Sequence, residues 1–336
     1  MKTKKTAHFL ICLLVGFQLV SCEMSPSKLP IAQGNVGEVL IVMHEYLWNG
    51  ACGDSVRHYF TEPVMGLPAA EPMFTLTQQS TLSNFMQKFR NIVIFNIDAG
   101  FENAKLGFKT DVYARNQLIF NIDAPSADLA IACAYENKDL ITARFLLKDR
   151  DATIEDYQKI VVASITEALN EKFQVDIIIP KPYTLDVEKE DFVWVSREEA
   201  GKQWGILMWK EPYLRKTQLE TDSLIFKMNA MTKKYVPGPS DGSYMADEPT
   251  VVPLVRRFEK NSVYSVQING LWQTENSYMG GPYVNHTIVD TKRGQIVTGL
   301  GFVYYPNRDK RQMVRQLEAI LHTMMPANDE KPAAEE

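Results

Sequence analysis

The pattern with the clearest catalytic potential is Gly238-Pro239-Ser240-Asp241-Gly242, a G-x-S-x-G sequence. In serine hydrolases this motif places a nucleophilic hydroxyl on a strained turn between a strand and a helix, beside backbone N–H donors. Here the motif follows a predicted helix and lies between prolines, and no second motif supplies the histidine and the acid that would activate Ser240. The pattern favours a rigid surface loop, and a serine hydrolase using Ser240 is the alternative prediction.

Potential metal ligands are scattered along the sequence. His44-Glu45 begins like the zinc motif H-E-x-x-H, but Trp48 stands where the second histidine is needed. His286 falls on the apolar face of a predicted strand, which is typical of a core histidine. We therefore predict neither a metal site nor a cofactor.

Aromatic residues are concentrated with glycine and proline in the second half of the chain. Tyrosine and tryptophan suit positions with one dry and one wet end, so such a cluster occurs at binding surfaces and also at ordinary sheet edges. The candidate binding residues are Asp241, Tyr244, Trp272, Tyr283 and Tyr304. Plain packing stays open as the other interpretation, and a carrier of a small or glycan-like ligand would need an aromatic-lined pocket near Trp272.

Two cysteines, Cys52 and Cys133, lie in the body of the chain. A disulfide between them would close a loop of about 80 residues and stabilise the fold by ~4 kcal/mol if loop entropy alone acted. Cys133 lies in an apolar stretch, however, where a free cysteine packs as a small hydrophobe. The sequence favours this second interpretation and keeps the disulfide as an alternative.

The chain begins like a secreted protein. Three lysines in the first five residues precede an apolar run at residues 9–20, which is too short to cross a bilayer that requires about 20 residues. The run ends in Leu19-Val20-Ser21-Cys22, which resembles the bacterial lipobox. The resemblance implies that residues 1–21 are a lipoprotein signal peptide and that Cys22 becomes the acylated first residue of the mature protein.

Composition limits the partners of the chain. The formal net charge is −5, which argues against a nucleic-acid partner, and 45% hydrophobic residues are enough for a sizeable core. The expected location is the bacterial cell envelope, with the membrane as a partner through the lipid anchor. Glu23 follows the cysteine where aspartate would signal retention, which favours the outer membrane.

Hydrophobic periodicity predicts an α+β fold of two halves, each a mostly antiparallel sheet backed by helices. A tether at 22–36 precedes an N-terminal half at 37–181 and a C-terminal half at 182–325, and a mobile tail follows at 326–336. The first half has predicted strands near 39–43, 73–76, 91–96 and 175–179, with helices at 48–60 and 154–173. The second has a hairpin at 192–195 and 204–209, helices at 219–235 and 308–324, and four strands between 251 and 305.

Several short segments, spread in order over the chain, carry a family resemblance. They include Gly37-Glu-Val-Leu-Ile-Val-Met43, Pro237-Gly-Pro-Ser-Asp-Gly-Ser-Tyr-Met245, Gly270-Leu-Trp272, Met279-Gly-Gly-Pro282 and Gly301-Phe-Val-Tyr-Tyr-Pro306. Together they resemble an uncharacterised family of Bacteroidota envelope lipoproteins that contains a domain of unknown function. The resemblance implies a lipidated envelope protein and carries no catalytic residue. The predicted role is a binding or assembly lipoprotein that is not an enzyme, with an envelope protein or a ligand as its partner.

Overall fold

The computed structural model describes residues 29–328. The predicted signal peptide, residues 22–28 of the predicted tether, with Cys22, and residues 329–336 of the predicted tail therefore lie outside the described residues. Within residues 29–328 the chain forms an α+β fold of two halves, which confirms the predicted fold class.

The N-terminal half is a five-stranded sheet with helices on one face. Its strands are β1 (Glu38–Val42), β2 (Thr75–Gln79), β3 (Asn91–Ile97), β4 (Lys105–Thr110) and β5 (Leu118–Ala124), and its helices are α1 (Glu45–Trp48), α2 (Ala51–Phe60) and α3 (Ala127–Gln158). The strand order is β2-β1-β3-β5-β4. Phe60 of α2 and Phe145 of α3 pack with Val39, Val93 and Phe120 in the main core of this half.

Strand direction in this first sheet differs from the mostly antiparallel arrangement expected. β1 runs parallel to β2 and to β3, and β3 runs parallel to β5, so within the described chain only β4 is paired antiparallel in this sheet. The physical reason is visible in the sequence of β1, which is apolar on both faces. Such continuous runs are typical of parallel strands whose two faces are both covered.

The helix that we predicted at 154–173 is two helices. Thr153, directly before the predicted start, lies inside α3, and its hydroxyl donates to the backbone carbonyl of Asp149 at 2.8 Å. The N-terminal cap of α3 is instead Ser126, whose side chain accepts a hydrogen bond from the Leu129 N–H. The chain then breaks at residues 159–162, and α4 (Ala163–Phe173) follows.

The C-terminal half is built on an eight-stranded antiparallel sheet, as the alternating pattern of its strands predicted. Its strands are β7 (Thr184–Glu188), β8 (Phe192–Glu199), β9 (Lys202–Pro212), β10 (Tyr244–Asp247), β11 (Leu254–Lys260), β12 (Val263–Glu275), β13 (Gly280–Asp290) and β14 (Gln295–Tyr304). A small separate pair is formed by β6 (Val175–Asp176) and β15 (Met325–Pro326), and the remaining helices are α5 (Thr221–Tyr235) and α6 (Arg311–His322). α4 and α6 cover one face of the large sheet, and α5 covers the other.

α4 packs with the C-terminal sheet. Ile165, Leu169 and Phe173 of α4 share one core cluster with Val193 of β8 and Leu317 of α6. The boundary expected between residues 181 and 182 falls inside the C-terminal core, because residues 175–179 pack in the same cluster.

Helix α6 joins the two halves. Glu71, from the N-terminal half, is 4% exposed, and its carboxylate accepts hydrogen bonds from the N–H groups of Lys310 and Arg311, each at 2.8 Å. One turn further on, the Arg315 guanidinium donates to the carbonyl of Met73 at 2.6 Å. Gly37 has a φ of +80°, and a Cβ at this position would lie 2.2 Å from Nη1 of Arg315. Glycine therefore permits both the backbone conformation and the close approach of the arginine.

The disulfide kept as an alternative is not formed. Cys52 lies half-buried on α2 and Cys133 is buried on α3, and both are free thiols in this part of the chain. Burial raises the pKa of the Cys133 thiol, as expected for a cysteine packed among apolar side chains. The predicted interpretation of Cys133 as a small core hydrophobe therefore agrees with the structure.

Candidate functional site

A cleft of about 680 Å³ opens between the two halves. Ala143, Leu146 and Leu147 of α3 form an apolar wall on the N-terminal side. Strand β11, from Arg256 to Lys260, forms the opposite wall, and α6 contributes His322 and Glu318. The volume lies within the range of cavities that bind small ligands, and the position between two halves is a common one for such sites.

Cations outnumber anions along the walls of this cleft. Arg150, Arg256, Arg257, Lys260 and Arg315 line it, together with the acids Asp149, Glu259 and Glu318. Nε of Arg150 is buried, and no hydrogen-bond acceptor lies within reach of it among the described residues. The Arg150 side chain as a whole lines the cleft, so its positive charge would stabilise a negatively charged group there.

The pKa values of three basic groups in the cleft are lowered, because burial and neighbouring positive charges disfavour their charged forms. Burial lowers the pKa of the Arg150 guanidinium and that of the Lys260 ammonium, and the charge of Arg150 lowers the pKa of Lys260 further. Burial also lowers the pKa of Arg315 to about 10, with a further contribution from Arg311. An anion bound between Arg150 and Lys260 would offset both the desolvation and the repulsion.

Two of the acids in the cleft already have other partners. Glu318 accepts hydrogen bonds from the side-chain amides of Gln267 at 3.0 Å and Asn269 at 2.9 Å. Asp149 is 2% exposed and accepts from the Gly37 N–H at 2.8 Å and from the Asn91 amide at 2.9 Å. These bonds engage both carboxylates. The Lys260 ammonium donates to the His322 carbonyl, and the charge of Asp151 offsets part of the positive charge of Arg150 and Lys260.

Two histidines pack against Phe258 of the β11 wall: His322 lines the cleft, and His286 is buried on β13. The rings of His286 and His322 are 6.1 Å apart between centroids, and Phe258 lies 5.9 Å from the first and 5.8 Å from the second. Burial lowers the pKa of His286 to about 3 and that of His322 to about 3, with Lys260 and Arg150 adding repulsion to both. Both histidines are therefore neutral at physiological pH, which agrees with the prediction of a core histidine at position 286.

The burial of His286 predicts a pH-dependent stability. The pKa of histidine is ~6.5 in an unfolded chain. Between that pH and about 3, His286 is therefore protonated in the unfolded state and neutral in the folded state. The stabilising effect is complete above about pH 6.5 and is lost as the pH falls toward 3. For His286 alone the loss between pH 7 and pH 5 is about 2 kcal/mol in the free energy of unfolding.

Urea denaturation of wild type and His286→Gln at pH 7, 6 and 5 measures this loss. The variant should show the smaller decrease in the free energy of unfolding. His58→Gln, on the exposed side of α2, is the matched control and should follow the wild type. Parallel curves for wild type and His286→Gln would show that His286 does not contribute.

The structure places Ser240 and Asp241 on an exposed turn after α5. The Ser240 N–H donates to Oγ of Ser243 at 2.9 Å, and Oγ of Ser243 donates back to the Ser240 carbonyl at 2.5 Å. Within residues 29–328, no histidine or carboxylate is hydrogen bonded to the Ser240 hydroxyl. The motif is therefore a self-bonded Pro/Gly turn in this structure.

The candidate aromatic residues do not share one open surface. Trp272 and Tyr283 are 4% and 1% exposed, so both lie in the core beside α5. The indole N–H of Trp272 donates to the Val303 carbonyl at 3.2 Å, and the Tyr283 hydroxyl donates to Asp247 at 2.7 Å. Tyr244 and Tyr304 are partly exposed, and only Tyr244 lines a shallow depression, between α5 and β10.

Two further properties concern the described chain alone. No three or more His, Cys, Asp and Glu side chains between residues 29 and 328 come together as a possible metal site. In the same part of the chain, every helix is too short or too polar to span a bilayer.

The fold and the cleft define a two-part α+β protein with a cavity between its halves. Residues 162–323 match the family model described as Domain of unknown function (DUF4837), and residues 32–158 match Domain of unknown function (DUF8532). The two matches meet at the break between α3 and α4. They support an uncharacterised family and assign no activity. No curated protein matches the chain in sequence.

Solved structures show only distant likeness. A protein from Bacteroides thetaiotaomicron is 8% identical over 47% of this chain, with a TM-score of 0.25, and this chain spans only 47% of its length. LpqN of Mycobacterium tuberculosis, involved in cell envelope biogenesis, is 10% identical over 45% of this chain and 83% of its own, with a TM-score of 0.27. The human StarD13 lipid transfer and protein localization domain is 8% identical over 49% of this chain and 96% of its own, with a TM-score of 0.22.

Sequence reasoning did not find the cleft. Arg150 belongs to the N-terminal half and Lys260 to the C-terminal half, so only the packing of the two halves brings them to one cavity. The available signal was the basic pair Arg256-Arg257 on a strand that is otherwise alternating. By itself such a pair is typical of a solvated strand face.

Proposed function

We propose that this chain is a lipid-anchored envelope protein that binds an anionic amphiphile in the cleft between its halves, and that it acts by binding and not by catalysis. The observation that carries the proposal is the placement of the Arg150 guanidinium, which lines the cleft with Lys260, near enough for its charge to lower the pKa of that ammonium, and beside an apolar wall. A carboxylate or phosphate head group satisfies the cations, and an alkyl portion covers the wall.

The apolar wall is what distinguishes an amphiphile from a small inorganic anion. Leu147 is 44% exposed although it faces the cleft, and Ala143 on the preceding turn is exposed as well. Covering these side chains would remove apolar surface from water in addition to the electrostatic gain. The ligand is thus expected to contact the apolar wall and the basic side chains at the same time.

The anchor supports a role in the envelope. The lipobox-like sequence at Cys22 and the basic, apolar start of the chain are both features of a bacterial lipoprotein. Several acyl chains on one cysteine give lasting attachment, whereas a single chain holds only marginally. Glu23 favours the outer membrane as the final location.

Titration with dodecyl phosphate tests the cleft. Arg150→Gln should weaken binding about tenfold or more, because a charge-assisted hydrogen bond contributes roughly 1.5–3 kcal/mol. Arg144→Gln is the matched control, since Arg144 lies on the same helix but is exposed and stacks on Phe108 at 5.4 Å. Binding is measured by calorimetry or by displacement of a fluorescent probe.

Two further probes separate the head group from the alkyl chain. Inorganic phosphate has the charge without the alkyl chain, and dodecyl maltoside has the chain without the charge, so each should bind at least about tenfold more weakly than dodecyl phosphate. Equal binding of dodecyl maltoside, or equal affinity of the wild type and Arg150→Gln, would contradict the proposal.

A further inference from the structure

The described chain begins on the surface of the N-terminal half where β3 and β5 start. The Ala32 N–H donates to the Arg115 carbonyl at 2.9 Å, just before β5, and the Gln33 N–H donates to the Lys88 carbonyl at 2.8 Å, just before β3. Residues 29–34 are therefore fixed across the entry points of two central strands. Residue 29 therefore lies at this end of the N-terminal half.

Three segments form one continuous surface here, which we call the anchor-side face: residues 29–34, 82–89 and 111–116. Gln117, which is fully buried, ties two of them together. Its side-chain N–H groups donate to the carbonyls of Gln87 at 2.5 Å and Phe89 at 2.8 Å, and its side-chain oxygen accepts from the Tyr113 N–H at 2.9 Å. The backbone hydrogen bonds of Ala32 and Gln33 described above join residues 29–34 to the other two segments.

Large apolar side chains are exposed on all three segments of the anchor-side face. Phe85 is 76% exposed, Ile31 47%, Tyr113 38% and Val112 37%. Single exposed apolar residues are common on proteins, but a group of four around one end indicates a surface that is covered by something.

The charged residues around these apolar side chains are mainly basic. Lys88, Lys109 and Arg115 are exposed at this end. Two acids lie beside them: Asp111 is paired with Lys148 of α3 at 3.4 Å, and Glu155 accepts from the Asn116 amide and is paired with Lys159 at 3.5 Å. Apolar and aromatic side chains surrounded by lysine and arginine are the combination that binds an anionic bilayer surface.

We propose that the anchor-side face rests on the bilayer, with Phe85 and Ile31 inserted at the level of the lipid head groups. The inference rests on the proposed acylation of Cys22. Six residues lie between Cys22 and Leu29, so the seven Cα-to-Cα steps that join them span at most about 25 Å. The anchor therefore keeps this face, more than any other part of the protein, close to the membrane.

Contact of this face with the membrane would also place the cleft near the bilayer. Lys148 of α3 binds Asp111 on the anchor-side face, and its neighbour Leu147 lines the cleft. The same stretch of α3 thus lies between the membrane surface and the binding site. An amphiphile leaving the bilayer would have a short path to the cleft.

Depth-dependent fluorescence quenching tests the proposal on the full lipidated protein. Phe85→Trp and Phe226→Trp form a matched pair, because the two phenylalanines are 76% and 77% exposed and Phe226 lies on α5 in the other half. Each variant is reconstituted into vesicles of phosphatidylcholine and phosphatidylglycerol with brominated acyl chains. The signal of the five native tryptophans is subtracted with the wild type.

The fluorescence of Phe85→Trp should be quenched at least about twofold more than that of Phe226→Trp, because bromine on the acyl chains quenches only tryptophan that is close to it in the bilayer. Flotation of the vesicles, measured on the same samples, reports the anchor independently. Protein that floats but shows equal quenching at the two positions would overturn the anchor-side face while leaving the anchor intact. Protein that does not float would overturn the anchor and this inference with it.

Discussion

Replacing Glu71 with alanine should lower the free energy of unfolding by about 2–4 kcal/mol. The buried carboxylate accepts two backbone N–H bonds at the start of α6, where a helix presents unpaired donors and a partial positive charge. Alanine leaves the N–H groups of Lys310 and Arg311 without an acceptor in a buried place. It also removes a bond between the two halves of the fold.

Urea denaturation followed by circular dichroism measures the loss. Glu102→Ala is the control, because Glu102 is exposed in a loop between β3 and β4, and its replacement should change stability by no more than about 0.5 kcal/mol. Glu71→Gln keeps one acceptor oxygen and should fall between the two. If Glu71→Ala is as stable as Glu102→Ala, the carboxylate does not hold the halves together.

Loss of the thiol at position 22 should move the protein almost completely from the membrane to the soluble fraction. Each buried methylene of an acyl chain contributes about 0.8 kcal/mol, so removal of the chains removes nearly all of the attachment energy. The variant Cys22→Ser is expressed behind a signal peptide with an ordinary cleavage site, because an uncleaved apolar signal would itself hold the chain in the membrane.

Fractionation is combined with mass spectrometry of the mature N-terminus. Cys52→Ser is the matched control, since it removes a thiol that the structure shows to be free on α2, and it should stay in the membrane fraction. An unmodified Cys22 in the wild type, or Cys22→Ser protein that sediments with membranes as the wild type does, would disprove the anchor.

The elements that the sequence predicted well have strong periodicity. α5 and α6 agree with their predicted ranges within a few residues, and the hairpin of β8 and β9 and the antiparallel strands from β12 to β14 are present as expected. In these segments the apolar face is set by burial against one sheet, so local pattern and tertiary packing agree.

The failures have identifiable physical causes. β4 was missed because the sequence Lys-Leu-Gly-Phe-Lys-Thr has little buried surface and little alternation, as an edge strand allows. α3 continues past residue 154, where a new helix was expected to begin, because Thr153 bonds back to the preceding turn instead of capping a helix. Parallel pairing in the first sheet depends on crossovers between distant segments, and no local pattern records them.

The cleft could not be predicted from the sequence either, because it also depends on contacts between distant segments. Aromatic residues such as Trp272 attracted attention by type, yet their burial is set by partners on neighbouring strands and on α5. The cleft, by contrast, is made by ordinary residues. Arg150, Leu147 and Lys260 line one cavity only because the two halves pack together, with α6 bonded to the N-terminal half.

A crystal structure of the chain with dodecyl phosphate tests the binding claim most directly. The account predicts the phosphate at about 2.7–3.2 Å from the Arg150 side chain, near Lys260, with the alkyl chain along Leu146 and Leu147. An empty cleft at saturating dodecyl phosphate, or the probe bound only elsewhere on the protein, would contradict it.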